Sequence, residues 1–367
     1  MRGDRGGGRV SVVYSQHPDA LPELAERLSG LTVHDPGGPA QCLVRTGQLL
    51  VPRARVEDAA RILRRWVDTV ETDGPGLLRL RPPVAADCVR IAADVAERVP
   101  VAANHVHLVG TPVLHGTGAV PTPADPPPPP PREVWAPPVT VTLFDTGLDP
   151  HPWFADRPWF DPATAELLDE DADGHADRQA GHGTFVAGVL LRHAPGVTIR
   201  AHRVLTPRGL TDDRTLAAAL HHESTRPHPH VIVLTAGCHT ADDRCPPVLA
   251  DELARFPTTA VVAAAGNTGT TRPFWPAALP GVVAVGASAL DGSPAPFTNR
   301  GPWVDRHAPG VDVLSSHVRL AGGMRTFGAA RWSGTSFAAP RVAAEIARAR
   351  LTPPPPPAPR ARAHPGP

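Results

Sequence analysis

A three-layer α/β fold, with a mostly parallel central sheet between helices and a small α+β domain ahead of it, is what this sequence predicts. Three observations carry that prediction. Short, wholly apolar runs such as Val231–Leu234 and Ala260–Ala264 alternate with helical patterns between about residues 137 and 351, as parallel strands covered on both faces do. Two proline tracts, Pro126–Pro131 and Pro353–Pro357, bound that block, and extended polyproline segments without internal hydrogen bonds separate packed units. Ahead of the first tract, shorter strand and helix patterns alternate over a much smaller length of chain, as in a small α+β sandwich.

In chain order, MRGDRGGGRVSVVYSQHPDA is basic, and its only apolar patch, Val10–Tyr14, is interrupted by Ser11. No hydrophobic core of a signal peptide follows, and no later stretch reaches the roughly 18 apolar residues of a membrane span. The expectation is a cytoplasmic protein without a membrane partner, with secretion as the alternative. In the segment 1–120, QLLVP at 48–52 reads as a strand and ARVEDAARILRRWVDTV as a helix, through Ala59, Ile62, Leu63 and Trp66. A strand at LLRLRP and a helix at AADCVRIAADVAERV follow. No catalytic constellation stands there, so the plain reading is a structural or regulatory domain.

The linker, residues 121–136, is expected to be an extended spacer excluded from any packed core, and the tail, 352–367, to be disordered. Between them, strands are predicted at VTVTLFDTG, TIRAHRVL, HVIVLTAG, TTAVVAAAGN and GVVAVGAS, and helices at HGTFVAGVLLRHA, LAAALHHEST and PVLADELARF. Helices in such positions supply the right-handed crossovers between parallel strands.

Charge excludes some partners. Lys+Arg and Asp+Glu are both 36, so the formal net charge is zero and nothing recruits nucleic acid or acidic lipid. The four cysteines, Cys42, Cys88, Cys238 and Cys245, are too few and too scattered for a disulfide scaffold or a zinc motif. Cys238 and Cys245 could still pair across one loop, although a reducing compartment favours thiols.

Ligands of a parallel α/β sheet bind beyond the carboxyl ends of its strands, and reactive side chains stand there. Asp145 ends VTLF in the turn DTG, His182 opens the HGTFVAG helix, and Asn267 follows VVAAAG. Ser336 opens the alanine-rich run GTSFAAPRVAA, where a helix mouth offers free N–H groups and the positive end of the macrodipole. Singly, these four read as a turn residue, one of 18 histidines, a left-handed turn residue and an N-cap. Their joint occurrence, with APGVDV at 308–313 and FTNRGP at 297–302, is what makes the pattern specific.

With those motifs in that order, the block resembles the subtilisin-like serine peptidases, the subtilases or peptidase S8 family, over about residues 138–350. The resemblance implies a subtilisin-like fold and an endopeptidase that works through an acyl-enzyme. Ser336 would be the nucleophile, His182 the general base and then acid, and Asp145 the group that fixes the imidazole tautomer. Asn267 and the backbone N–H of Ser336 would form the oxyanion hole, each such donor being worth about 3 kcal/mol in the transition state. A peptide or protein substrate would add as a strand beside HVIVLTAG, with VLTPRGLTDD as the second edge. Thr235, Ala236 and Gly237 would form one wall of the first specificity pocket and Ala264, Ala265 and Gly266 the other, a roomy apolar pocket lined by small residues.

No cofactor is required by that chemistry. Calcium is raised by LLDEDADGHADRQAGHGT, where Asp169, Asp171, Asp173 and Gly174 match the first half of an EF-hand loop and Asp177 its ninth position. The twelfth is Ala180 instead of a bidentate Glu, so only weak binding is expected, and a solvated acidic loop is the plainer reading. The resemblance also raises the N-terminal segment as an inhibitory prodomain. Two rivals stand beside the peptidase: a non-catalytic peptide-binding scaffold of the same fold, and an esterase, whose G-x-S-x-G elbow GTSFA does not match.

Overall fold

The computed structural model describes residues 21–109 and 120–351. Val10–Tyr14 and the proline tail expected to be disordered lie outside the described residues. The N-terminal domain contains α1 (Leu21–Arg27), β1 (Leu31–His34), β2 (Cys42–Val51), α2 (Val56–Leu63), β3 (Val67–Glu71), β4 (Gly76–Leu80), α3 (Cys88–Val95) and β5 (Ala102–Leu108). Its strands are antiparallel in the order β3-β4-β2-β5, with β1 also on β2. The helix predicted to run through Trp66 and beyond stops at Leu63. Val67, Thr69 and Val70 are β-branched, favour extended backbone, and pair with β4 instead, Val67 opposite Leu80 and Val70 opposite Leu78.

The linker is not a free spacer. Its Thr122–Ala124 forms β6. The proline tract after it lines a surface groove together with Pro152 and Trp153, and the carbonyl of Pro131 accepts a hydrogen bond from Arg157 Nη2 at 2.9 Å. Extended backbone with no internal bonds leaves its carbonyls open to such partners, which is how the tract joins a packed surface.

The second domain runs through β7 (Thr140–Asp145), α4 (His182–His193), β8 (Thr198–Arg203), β9 (Leu210–Asp212), α5 (Asp213–Ser224), β10 (Val231–Leu234), α6 (Pro247–Leu253), β11 (Ala260–Ala264), β12 (Val282–Ser288), β13 (Arg306–Pro309), β14 (Val313–Ala321), β15 (Met324–Trp332) and α7 (Thr335–Ala349). Six strands form one parallel sheet in the order β13-β12-β11-β10-β7-β8. β14, β15 and β6 form a separate antiparallel sheet, in which Ala124 faces Ala329.

Alternation along each parallel strand divides the core into two layers. Val141, Val231, Val233, Val262 and Val285 face α4 and α7 through Phe185, Val189, Phe337 and Val342. Ile232, Leu234, Val261, Ala263 and Ala284 face α5 and α6 through Leu216, Leu220, Leu249 and Leu253. Leu50 and Leu77 of the N-terminal sheet join this second cluster, so that sheet lies over α5 and α6 as an additional layer. β5 then pairs with β9, which carries the N-terminal sheet into the second domain. The order reverses between β7 and β10, a switch point that opens a crevice at their carboxyl ends.

Candidate active site

That crevice is where the predicted residues meet. Asp145 is the last residue of β7, and its Oδ1 accepts hydrogen bonds from His182 Nδ1 at 2.7 Å and from Thr146 N at 2.7 Å. Thr235 follows β10, and its hydroxyl donates to Asp145 Oδ2 at 2.6 Å. Both carboxylate oxygens are therefore occupied by donors, which suits an ion held in a buried place. A carboxylate can only accept, so His182 carries its proton on Nδ1, and the lone pair lies on Nε2. That nitrogen is buried and has no hydrogen-bond partner. The imidazole packs against Phe337, the residue after Ser336, with ring centroids 5.1 Å apart.

One expected contact is not made. The Ser336 hydroxyl donates to the carbonyl of Thr235 at 3.2 Å instead of to His182. A serine hydroxyl turns about a single bond, and nucleophile–base bonds often tighten only around a substrate. The hydroxyl sits at the mouth of α7 with Ala338 and Ala339 fully buried behind it.

Asn267 is oriented by Thr335. Its Oδ1 accepts from Thr335 N at 3.0 Å and Thr335 Oγ1 at 2.9 Å, which turns the Nδ2 donor the other way. A Cβ placed on Gly334 would lie 3.6 Å from that Nδ2, so the amide faces the backbone just before Ser336, where an oxyanion would form.

Glu166 escaped the sequence reading. Fully buried, it accepts from Thr146 Oγ1 (2.6 Å), Gly181 N (2.8 Å), Thr184 N (2.9 Å) and Thr184 Oγ1 (2.6 Å). It thus ties the residue after Asp145 to the residues on either side of His182. Burial, with Asp149 nearby, pushes its carboxyl up to about 8. No motif marks it, since it lies 16 residues ahead of the histidine in an irregular loop.

The substrate wall departs further from expectation. Thr235 lends its side chain to Asp145 and only its backbone to the pocket. The Phe274 ring lies against both Gly237 and Gly266. A Cβ on Gly266 would lie 3.0 Å from that ring, and one on Gly237 would overlap it. Where small residues lead to the expectation of a roomy pocket with Ala236, Ala264 and Ala265 on its walls, a large side chain from a later segment packs against the two glycines.

Both edges expected to receive substrate are occupied by the chain itself. Leu108 N donates to Gly237 O at 2.9 Å, and Val109 N donates to Gly209 O at 2.9 Å. Val109 is buried with Leu205 and Ala236. Antiparallel to the Thr235–Gly237 segment, the N-terminal strand is directed toward the carbonyl that holds Ser336.

In the acidic loop, carboxylate oxygens of Asp169, Asp171 and Asp173 lie within 4.8 Å of one another, a hard-oxygen set that fits calcium. Asp177 does not join them. Its Oδ2 accepts from Glu170 N at 2.8 Å and its Oδ1 faces Arg208 at 3.5 Å. Arg208 also pairs with Asp171 at 2.9 Å, and Ala180 is buried with Leu168 and Val318. Cys238 and Cys245, like Cys42 and Cys88, are free thiols.

Known proteins resemble this chain over the same block. A model of the subtilase family matches residues 137–353. A thermophilic serine proteinase from Bacillus sp. (strain AK1) is 34% identical over 175 residues, which is 44% of this chain and 40% of that protein. A subtilisin-like protease from Coccidioides posadasii (strain C735) is 32% identical over 216 residues, 56% of this chain and 50% of that protein. This chain thus spans half or less of the length of these two relatives. Among solved structures, a cold adapted subtilisin-like serine proteinase aligns with 27% identity and a TM-score of 0.45, over 57% of this chain and 74% of that one.

Proposed function

Because the chain belongs to the subtilase family, we propose that it is a serine endopeptidase whose own N-terminal domain occupies the substrate cleft. One observation carries the enzymatic part: His182 is bound through Nδ1 to Asp145, while its Nε2 lone pair is buried and unsatisfied beside the mouth of the Ser336 helix. In the reaction, Ser336 Oγ attacks the scissile carbonyl and its proton passes to His182 Nε2. Asn267 Nδ2 and Ser336 N–H meet the resulting oxyanion. His182 then gives the proton to the departing amine, and water repeats the sequence in reverse to free the acid. Asp145, held from both sides by Thr146 and Thr235, stabilises the imidazolium.

Phe274 limits the substrate. With its ring against Gly237 and Gly266, the residue before the scissile bond is a small one, glycine or alanine, and larger side chains collide. Calcium, when bound, would supply charge neutralisation to Asp169, Asp171 and Asp173 and brace the loop that leads to Glu166 and His182. The chemical steps run on the chain's own residues.

The docked strand supports an inhibitory role for the N-terminal domain, since Leu108 and Val109 use the edges a substrate would use. The test compares wild type with Ser336→Ala by intact mass and by fluorophosphonate labelling. We expect the label on the wild type alone and a self-made cut between residues 105 and 135 that the variant lacks. A wild type that stays at full length but takes the label removes self-cleavage and keeps the peptidase. A wild type that stays unlabelled after a second protease has removed the N-terminal domain leaves a peptide-binding scaffold.

A further inference from the structure

β5 holds the second domain by more than its last residues. Asp213, at the start of α5 and fully buried, accepts from the backbone N and Nδ1 of His105, each at 2.9 Å. Its other oxygen, Oδ1, lies 2.6 Å from His107 Nε2. Cys238 Sγ approaches the same nitrogen at 3.5 Å. The ligand atoms of His107, Asp213 and Cys238 all lie within 4.8 Å of one another, and all three residues are buried. Nothing in the triad chemistry uses them.

Two atoms, a carboxylate oxygen and a sulfur, converge on one imidazole nitrogen that can carry a single proton. One N–H cannot serve both well, whereas a cation at the centre of the three serves all of them. Ligands about 2.0–2.3 Å from a tetrahedral zinc stand about 3.3–3.7 Å apart. The cysteine–histidine spacing already meets that, and the histidine–aspartate pair needs to open by about 0.7 Å. Nitrogen, oxygen and thiolate sulfur together suit a borderline metal and not calcium. His105 holds the second oxygen of Asp213, the kind of outer contact that orients a ligating carboxylate. A cavity of about 30 Å³ lined by Cys42, Leu108, Gly237 and Cys238 lies beside Cys238.

We propose that His107, Asp213 and Cys238 form a site for a divalent cation of the zinc class, which ties the N-terminal domain to the peptidase domain. Binding releases the Cys238 thiol proton to solvent and moves the His107 proton to Nδ1. That nitrogen is buried without a partner, a cost small beside three metal bonds. Since two ligands come from the second domain and one from β5, the ion favours the docked state over the open one. The site rests on the docked arrangement of the proposed function, but not on catalysis.

The experiment therefore uses full-length Ser336→Ala, which stays uncut, reduced and freed of metal, and titrates it with Zn²⁺ and with Co²⁺. We expect one equivalent bound, a thiolate-to-cobalt charge-transfer band, and a higher melting temperature with metal. Adding Cys238→Ala should remove the band and weaken Zn²⁺ at least tenfold, in line with the 10–100-fold costs of disturbed metal sites. Asp171→Asn, in the exposed acidic loop, should change neither. Melting of the metal-free variants checks that they fold. Substoichiometric binding of both metals, or a band that survives Cys238→Ala, overturns the proposal. Stoichiometric metal with a wild type that takes no fluorophosphonate even after chelation and removal of the N-terminal domain by a second protease keeps the site and removes the peptidase; a labelled wild type that binds no metal does the reverse.

Discussion

The wall of the cleft proposed to be catalytic and the wall proposed to receive the peptide differ in where their determinants lie along the chain. Asp145, His182, Asn267 and Ser336 each sit inside a short motif at a strand end or helix mouth, and their partners stand in those same motifs or at the neighbouring strand end: Thr146 in DTG, Thr335 in GTS and Thr235 after β10. The receiving wall is shaped by residues outside those motifs. Phe274 comes from a segment 37 residues after Gly237, and the strand that fills the edges comes from another domain. Catalytic geometry depends on a few hydrogen bonds between fixed atoms, whereas pocket shape depends on whatever volume packs in from elsewhere.

If the walls are separable in this way, damage to one should leave the other intact. The largest effect is expected at Asn267. Asn267→Ala removes the oxyanion donor and should lower kcat by about 10²–10³, with KM and the preference for small residues unchanged. A comparable loss in KM, or a changed preference, would break the comparison, because it would mean that Asn267 also shapes the pocket.

The same separation explains what was legible in the sequence. Apolar runs at Val231–Leu234 and Ala260–Ala264 announce buried parallel strands, and the residue after each run is where function concentrates in such sheets. The four reactive residues could therefore be named from local patterns. β5 could not, since AANHVHL mixes buried Asn104, His105 and His107 with apolar residues, and their hydrogen bonds reach distant partners, Gln48 and Asp213. Glu166 was invisible for the same reason: an isolated glutamate in an irregular loop gains meaning only when folding brings Thr146, Gly181 and Thr184 around it. Pocket shape is not written at 235–237 and 264–266 alone, since small residues there set the walls and Phe274 packs against them from outside.

On the receiving wall, Phe274→Ala should open the pocket. Peptides with leucine or phenylalanine before the scissile bond should gain about 10–100-fold in kcat/KM relative to alanine peptides, the range that a few methylene groups command in an apolar pocket. The absolute kcat on alanine peptides should hold. Large-to-small changes of buried aromatics cost about 3–5 kcal/mol, so a lower melting temperature is expected as well. An unchanged preference would place the pocket elsewhere and detach the wall from Phe274.

The smallest effect, and the one that probes the seam between the walls and the fold beneath, is at Glu166. Its two oxygens accept from Thr146, Gly181 and Thr184. Glu166→Gln substitutes an amide NH₂ for one oxygen, which must then face a backbone N–H that it cannot accept. Losing one such bond is worth about 1 kcal/mol, or about fivefold. Since Thr146 reaches Asp145 and Gly181 precedes His182, that loss should appear in kcat and not in KM. Stability gives the second readout. Burial raises the folded-state value to about 8, above the unfolded value of about 4.3, so between those limits the folded chain holds a proton the unfolded one has lost. Stability therefore falls as pH rises through that window. The variant cannot titrate there, so its melting temperature should decline less than that of the wild type between pH 5 and pH 8, read as about three pH units inside the window. Equal slopes for the two proteins would mean that Glu166 is already ionised at pH 5 and that its four donors, more than burial, set its charge.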